Sequence, residues 1–528
     1  MNRRRKTLST LAVLGLGVSF LAVLPTASAE PRPVAVPLFA EDTTAREAAQ
    51  ADKVRNERPA NAAVRIKRAN PAAVGAGTEL ISLDLGDRTV TAVRGNASTT
   101  GSGNTLWNGQ VRETAIARST GPAEVGTDEY NSVTLVRSGD GVTGSVRVSG
   151  VLYQIHPVAG GQHAVTKVDE SKMPPNHPPV PGGLPTIAMP ATRTDGAAAA
   201  ANTVIRVQVV ATQQAVNGYS GDMRALVDLA VSETNKGYLN SGVGITLELA
   251  HYSTVNYTEA GMSTDLSRFR GTSDGYMDGV HALRDQYAAD VNVLVLNASS
   301  SCGIASGIGS SAATAFAVVA RTCATGYYSF GHEIGHLQSA RHDPATDSKT
   351  TPYAYGHGYR YGNSWRTIMA YNCTSSCPRL NYWSNPRKTY NGVAMGTTDR
   401  SDNARVLEQT KATIAAFRGG TATPANQLSR GTTLTGLSGA SGSSTAYTLS
   451  VPAGATNLSF STSGGTGDMD LYVKFGSAAS TSSYDCRSTT SSSTERCAFT
   501  TAQAGTYHVT MYGYSAYSGV SLVADYTS

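Results

Sequence analysis

The sequence predicts a central α/β domain over residues 201–418, preceded by a β-rich unit at 30–200 and followed by an all-β sandwich at 428–528. Three patterns carry this. Before residue 200, segments such as Leu80-Ile81-Ser82-Leu83-Asp84-Leu85 and Gly144-Ser145-Val146-Arg147-Val148 alternate with period two, the mark of half-buried strands. In the centre, apolar strands alternate with helical stretches, and 291–296 is apolar almost throughout, as a strand buried on both faces would be. After 428, short strands are separated by Gly/Ser turns.

A chain of 528 residues exceeds one ordinary core and fits about three or four folded units. Its formal net charge of +5 is mild, and no Lys/Arg block follows the first six residues, which gives nucleic-acid binding no support. That first block has a different meaning. Arg3, Arg4, Arg5 and Lys6 precede an apolar run at 11–24 and then Ala27-Ser28-Ala29, the layout of a secretory signal peptide over 1–29. The run is shorter than the roughly 20 residues of a membrane anchor, so a secreted, extracellular protein without an anchor is expected. The six cysteines suit an oxidising compartment. Local disulfides 302–323, 373–377 and 486–497 are expected, because each couple lies within one domain; cysteine ligation of zinc is the alternative.

Within the central domain, strands are expected at 204–210, 243–250, 291–296, 303–308 and 315–320, and helices at 222–231, 278–288 and 403–417. Gly419-Gly420 ends the last helix and opens a linker at 419–427. Between the N-terminal unit and this domain, Pro174-Pro175-Asn176-His177-Pro178-Pro179 and the alanines at 197–201 read as an exposed linker.

The chemistry concentrates at His332-Glu333-Ile334-Gly335-His336. Histidines at i and i+4 stand about 5–6 Å apart on one helix face, which suits two Zn–N bonds of about 2.0–2.1 Å. Glu333 is rotated by about 100° from His332, beside a metal rather than on it, where a general base belongs. Phe330, Ile334 and Leu337 form an apolar stripe on the other side. His342 reaches the same metal only if the helix breaks near Ser339. Asp343 and Asp347 are further oxygen donors, Asp343 being placed to orient ligands through hydrogen bonds.

With His342 and the later Thr367-Ile368-Met369-Ala370-Tyr371, the pattern resembles the metzincin zinc peptidases, H-E-x-x-H-x-x-G-x-x-H followed by a Met-turn. Position 339 departs from it: Ser stands where Gly usually takes a left-handed conformation, at a cost of about 1–2 kcal/mol. The resemblance implies a twisted mixed sheet and a zinc helix. It implies one catalytic Zn2+ on His332, His336 and His342, with Glu333 as the base and Met369 as a structural floor. It also implies that Tyr371 reaches the zinc or the transition-state oxyanion. The segment near 303–308 would be an exposed antiparallel edge strand, open to an extended protein or peptide substrate.

The stretch 348–398 contains no Asp or Glu but has Lys349, Arg360, Arg366, Arg379, Arg387 and Lys388, with nine Tyr or Trp between Tyr353 and Tyr390. A basic, aromatic wall would favour an acidic side chain beyond the scissile bond, with Arg379 and Arg387 as the binding residues; a solvated basic surface is the plainer reading. The run from Tyr328 through His342 to Pro386, with Trp365-Arg366-Thr367-Ile368-Met369-Ala370-Tyr371-Asn372-Cys373 and Trp383-Ser384-Asn385-Pro386, resembles the secreted bacterial peptidyl-Asp metalloendopeptidases. That resemblance implies cleavage on the N-terminal side of Asp or Glu.

In a secreted peptidase the 30–200 unit is most simply a propeptide; an accessory β-domain that stays attached is the alternative. No Cys precedes Cys302, so a propeptide ligand holding the enzyme latent would be Asp, Glu or His, with Asp169, His177 and Asp195 as candidates. Asp468-Met469-Asp470-Leu471-Tyr472-Val473 and the 505–519 stretch resemble the bacterial pre-peptidase C-terminal domain, which implies attachment to matrix or surface. Asp468 and Asp470 offer oxygens to Ca2+, against the plainer reading that they shape a turn. The rival to a peptidase is a secreted surface- or polymer-binding protein whose metal site is structural. Such a site would need four protein ligands.

Overall fold

The computed structural model describes residues 34–40, 45–112, 121–177, 184–187, 202–297, 300–418 and most of 427–527. The expected signal peptide, Asp195, residues 197–201 and nearly all of the 419–427 linker lie outside these.

The N-terminal unit is built on a ten-stranded sheet drawn from Val36 to Val168, in which nearly all neighbouring strands run antiparallel. One face closes over Leu83, Trp107, Leu135, Val146 and Tyr153. Strand Gly141–Val148, expected to be half-buried, is buried at seven of its eight positions. The cause is a second cover. The other face of the sheet lies on the central domain, where Val136 packs with Ala225 and Leu229 of helix Met223–Ser241.

Polar contacts tie the same two bodies. Arg147, fully buried, donates to Glu170 at 3.0 and 2.8 Å and to the Gly326 carbonyl at 3.0 Å. Asp228 accepts from Thr100, Ser102 and Asn104 at 2.7–2.9 Å. Buried charges arranged this way hold only as complete sets, because loss of one partner strands the other.

In the central domain a five-stranded sheet runs in the order Ile245–Val255, Thr203–Thr212, Val291–Leu296, Phe316–Ala320, Gly303–Ala305. The first four strands are parallel and the last is antiparallel to its neighbour. Helix Met223–Ser241 begins at Asp222, whose side chain accepts from the Arg224 N–H, and stops at Gly242 with φ of 68°. It runs well past the expected 222–231. Its second half is polar, yet Asn235 exchanges two hydrogen bonds with the Leu247 backbone and Gly237 lets Asn381 approach, so tertiary contacts extend it.

The helix Ser329–Leu337 is buried at every residue. Gly335 faces Trp383 and Met369: a Cβ there would come within 2.7 Å of the indole and 3.0 Å of the Met369 sulfur. A helix that passes so close to its floor has room for hydrogen alone at that position.

The last hundred residues form sheets of five and four strands around one apolar core that includes Leu458, Phe460, Leu471, Val509 and Leu522. The three disulfides are Cys302–Cys323, Cys373–Cys377 and Cys486–Cys497, the local pairing expected. Among the described residues no helix is long and apolar enough to cross a membrane.

Candidate active site

The helix Ser329–Leu337 carries His332 and His336 on one face, and the chain then turns back through Ser339, whose φ of 73° is left-handed. The serine takes the conformation that the pattern assigns to glycine, and the turn brings His342 to the other two rings. The His342 Nε2 lies 3.1 Å from His332 Nε2 and 3.0 Å from His336 Nε2. The opposite nitrogens of the helical pair are anchored: His332 Nδ1 donates to the Ile368 carbonyl at 3.0 Å and His336 Nδ1 to the Ala340 carbonyl at 2.8 Å. A carbonyl can only accept, so both rings carry their proton on Nδ1 and turn bare Nε2 lone pairs toward one point.

Lone pairs gathered that closely repel unless a cation lies between them. A tetrahedral zinc with bonds of about 2.0–2.1 Å sets its nitrogens roughly 3.3 Å apart, close to the observed spacing. Burial and the neighbouring rings hold all three imidazoles below their ordinary pKa, His336 at about 3, which keeps them neutral and able to ligate. Among the described residues these three form the one His/Cys/Asp/Glu group able to hold a metal ion.

Glu333 stands beside the triad. Both carboxylate oxygens are buried, and burial pushes the carboxyl well above its usual range, against the pull of Arg379 and of the Ala305 backbone N–H. It lies flat against the edge strand, where a Cβ on Gly303 would come within 2.7 Å of its Cγ and Oε1. Met369, fully buried, lies beneath the helix. The turn around it fixes two groups at once, since Ile368 supplies the carbonyl for His332 and Tyr371 brings its ring to 4.5 Å from His342. Asp343 is not in the ligand group. It accepts from the Tyr371 N–H at 3.0 Å and pairs with Arg360 at 2.6 Å, holding that loop in place. Asp347 pairs with Arg341.

Comparison with known proteins agrees with this geometry. Residues 201–384 match metallo-peptidase family M12, and residues 443–513 match the bacterial pre-peptidase C-terminal domain. Over 367 residues the chain is 54% identical to the peptidyl-Asp metalloendopeptidase of Xanthomonas campestris pv. campestris, covering 68% of this chain and 87% of that one. It is also 54% identical over 368 residues to the protein of that name from Stenotrophomonas maltophilia, covering 68% and 88%. A third, from Pseudomonas fragi, is 55% identical over 189 residues, which span 35% of this chain and all of that one.

The chain belongs to the peptidyl-Asp metalloendopeptidase family. It is a zinc metalloendopeptidase with a pre-peptidase C-terminal domain, and its histidine triad suits one zinc ion.

The basic wall of this endopeptidase divides sharply on inspection. Arg387 makes a two-bond ion pair with Asp402 and is half exposed, so its charge already has a protein partner. Counting only the acid-free stretch 348–398 hid this partner, and likewise hid Asp343, which pairs with Arg360. Arg379 behaves otherwise. It is fully buried, its guanidinium lies 4.2 Å over the Tyr327 ring, and it donates to the Tyr327 carbonyl at 2.8 Å. Among the described residues it pairs with no carboxylate, and its Nε has no partner. Burial and the adjacent Arg366 pull its pKa down to about 9. Arg366 is fully buried too and donates to the Ala370 and Cys377 carbonyls and the Tyr327 hydroxyl. Tyr327, not singled out in the sequence, joins both arginines; its place one residue before the Tyr328 that opens the family run was the available signal.

The stretch 174–177 is not a free linker, although Pro175 is exposed. Asn176 is 4% exposed. Its carbonyl accepts from Gly303 N at 2.7 Å, and that of Pro175 from Cys302 N at 2.7 Å. Further on, Thr186 bridges Ile308 in parallel. The N-terminal unit thus covers the outer side of strand Gly303–Ala305, and the edge expected to be exposed is buried at all three residues. Of the three latency candidates, Asp169 binds Ser171 and Lys172 away from the triad. His177 does reach the site: its ring stacks on His342 at 5.0 Å and its Nε2 is 3.0 Å from the Tyr371 hydroxyl. In the C-terminal domain, Asp470 accepts from Tyr472, and no third ligand of the His/Cys/Asp/Glu type joins Asp468 and Asp470 among the described residues.

Proposed function

We propose that this endopeptidase cuts on the N-terminal side of Asp or Glu, and that it is secreted as a precursor whose residues 30–200 are a propeptide. One observation supports the specificity above others: Arg379 is a buried guanidinium near Glu333 and Tyr371 that forms no ion pair with a carboxylate among the described residues. A charge in that position costs several kcal/mol until a partner arrives. The carboxylate of an acidic side chain is such a partner, and the planar fork of arginine is made to receive it. Peptidyl-Asp metalloendopeptidase is also the name of relatives that share 54% of aligned positions.

Zinc, when bound, supplies Lewis-acid chemistry at the scissile carbonyl. Glu333, raised in pKa by its dry surroundings, takes a proton from the attacking water and delivers it to the leaving nitrogen. Tyr371, whose hydroxyl burial keeps protonated, donates to the oxyanion. Strand Gly303–Ala305, once uncovered, offers its backbone to an extended substrate. The C-terminal domain is proposed to attach the enzyme to matrix or surface.

The test is to incubate the processed enzyme with a denatured protein, with and without a zinc chelator, and map the cuts by mass spectrometry. Chelator-sensitive cuts before Asp and Glu are expected. Chelator-sensitive cuts without acidic preference would remove the role given to Arg379, and cutting that survives chelation would remove the metal mechanism.

A further inference from the structure

We infer that residues 174–177 act as a built-in pseudosubstrate, in which the carboxamide of Asn176 occupies the place that Arg379 keeps for a substrate carboxylate. This rests on the acid-recognising role proposed above. The Asn176 Oδ1 accepts from Arg379 Nη2 at 2.8 Å while its own backbone carbonyl accepts from Gly303 at 2.7 Å. One residue therefore joins both recognition elements, the edge strand and the buried guanidinium. The next residue, His177, caps the Tyr371 hydroxyl and lies over His342.

The segment climbs alongside the edge strand in the same direction, with Pro175 and Asn176 on Cys302 and Gly303 and Thr186 beside Ile308. The chemistry of residue 176 makes this an inhibitor rather than a substrate. Asparagine is the neutral isostere of aspartate. Its one oxygen engages a single arm of Arg379 and leaves Nε without a partner. A carboxylate would add a second acceptor and a full negative charge, and so a two-bond ion pair that a carboxamide cannot make. The neutral residue holds the cleft yet can be displaced by an acidic substrate once the segment loosens.

The experiment uses the full chain, purified before processing, as Asn176→Ala and Asn176→Asp, each also combined with Arg379→Gln. Two quantities are read: amide hydrogen exchange at Cys302 and Gly303, and hydrolysis of a fluorogenic Asp-containing peptide by the uncut chain. Asn176→Ala should raise both, by about tenfold or more for the loss of one hydrogen bond to a charged group. Asn176→Asp should lower both, and its advantage should vanish beside Arg379→Gln. The inference is overturned if Asn176→Asp exchanges as fast as Asn176→Ala, if its advantage survives loss of the guanidinium, or if the chain is cut before residue 176. Coupling of 176 to 379 in an enzyme that cuts acid-free peptides equally well would instead remove the specificity reading, and the mimicry with it, leaving a plain plug.

Discussion

Arg379→Gln separates recognition of charge from recognition of shape. In the wild type, a substrate aspartate would enter a site where the guanidinium is fully buried over the Tyr327 ring and, among the described residues, pairs directly with no carboxylate. Removing one member of a buried, hydrogen-bonded charge pair typically costs about 3–5 kcal/mol, because the remaining charge is stranded. That is roughly 10²–10³ or more in kcat/KM for a peptide with Asp after the cut. The same peptide with Asn loses one hydrogen bond to the guanidinium, about 1.5–3 kcal/mol or roughly 10- to 150-fold. The Asp/Asn preference should therefore collapse by about one order of magnitude or more. Arg379→Lys should recover only part of it, since a point charge cannot supply the fork. The assay is kcat/KM on matched Asp and Asn peptides with processed enzyme. An equal fall for both would show that Arg379 merely braces the Tyr327 and Ala370 carbonyls, to which it also donates, and the specificity argument would be lost.

Three further outcomes are expected. Glu333→Gln should lower kcat by about 10²–10⁴ with zinc still bound by metal analysis; loss of zinc would make Glu333 a ligand. Gly335→Ala should destabilise the fold by about 1–3 kcal/mol through overpacking against Trp383 and Met369, and an unchanged melting temperature would contradict the close approach. Glu233 is fully buried at the junction of the N-terminal unit and the central domain, and burial raises its carboxyl from 4.5 to about 7. The folded state therefore holds this proton more tightly, so the stability it contributes is complete below about pH 4.5 and lost as pH rises through 7. Glu233→Gln, which keeps an acceptor for the Gly326 N–H, should gain up to roughly 3 kcal/mol over wild type between pH 5 and pH 8 in urea melts; a gain that does not vary with pH would refute it.

Local periodicity made some of this legible and hid the rest. Val291–Leu296 was readable because a strand covered on both sides needs apolar residues nearly throughout. The metal group was readable because helical spacing dictates where His332 and His336 point, and Ser339 was the evident place for the chain to break. Gly141–Val148 was half legible: alternation marked the strand, but its second burial comes from a helix far along the chain. Arg379 and Arg387 looked alike in sequence because the difference between them is Asp402, a partner outside the acid-free stretch. Asn176 was hidden altogether. Prolines on either side suggested a loop, whereas its hydrogen bonds go to residues more than a hundred positions away.

The contacts of Arg147, Asp228 and the Val136 cluster have a consequence for the proposed release of the enzyme from a secreted precursor. They hold the ten-stranded unit to the central domain independently of the peptide chain that joins them. A cut somewhere in 178–201 would therefore sever a tether without emptying the cleft. From that moment the blocking segment becomes a separate molecule with its own dissociation constant, and its hold depends on dilution. Crowded near the cell that made it, the enzyme would stay occupied; spread into a larger volume, it would come free without any further chemistry.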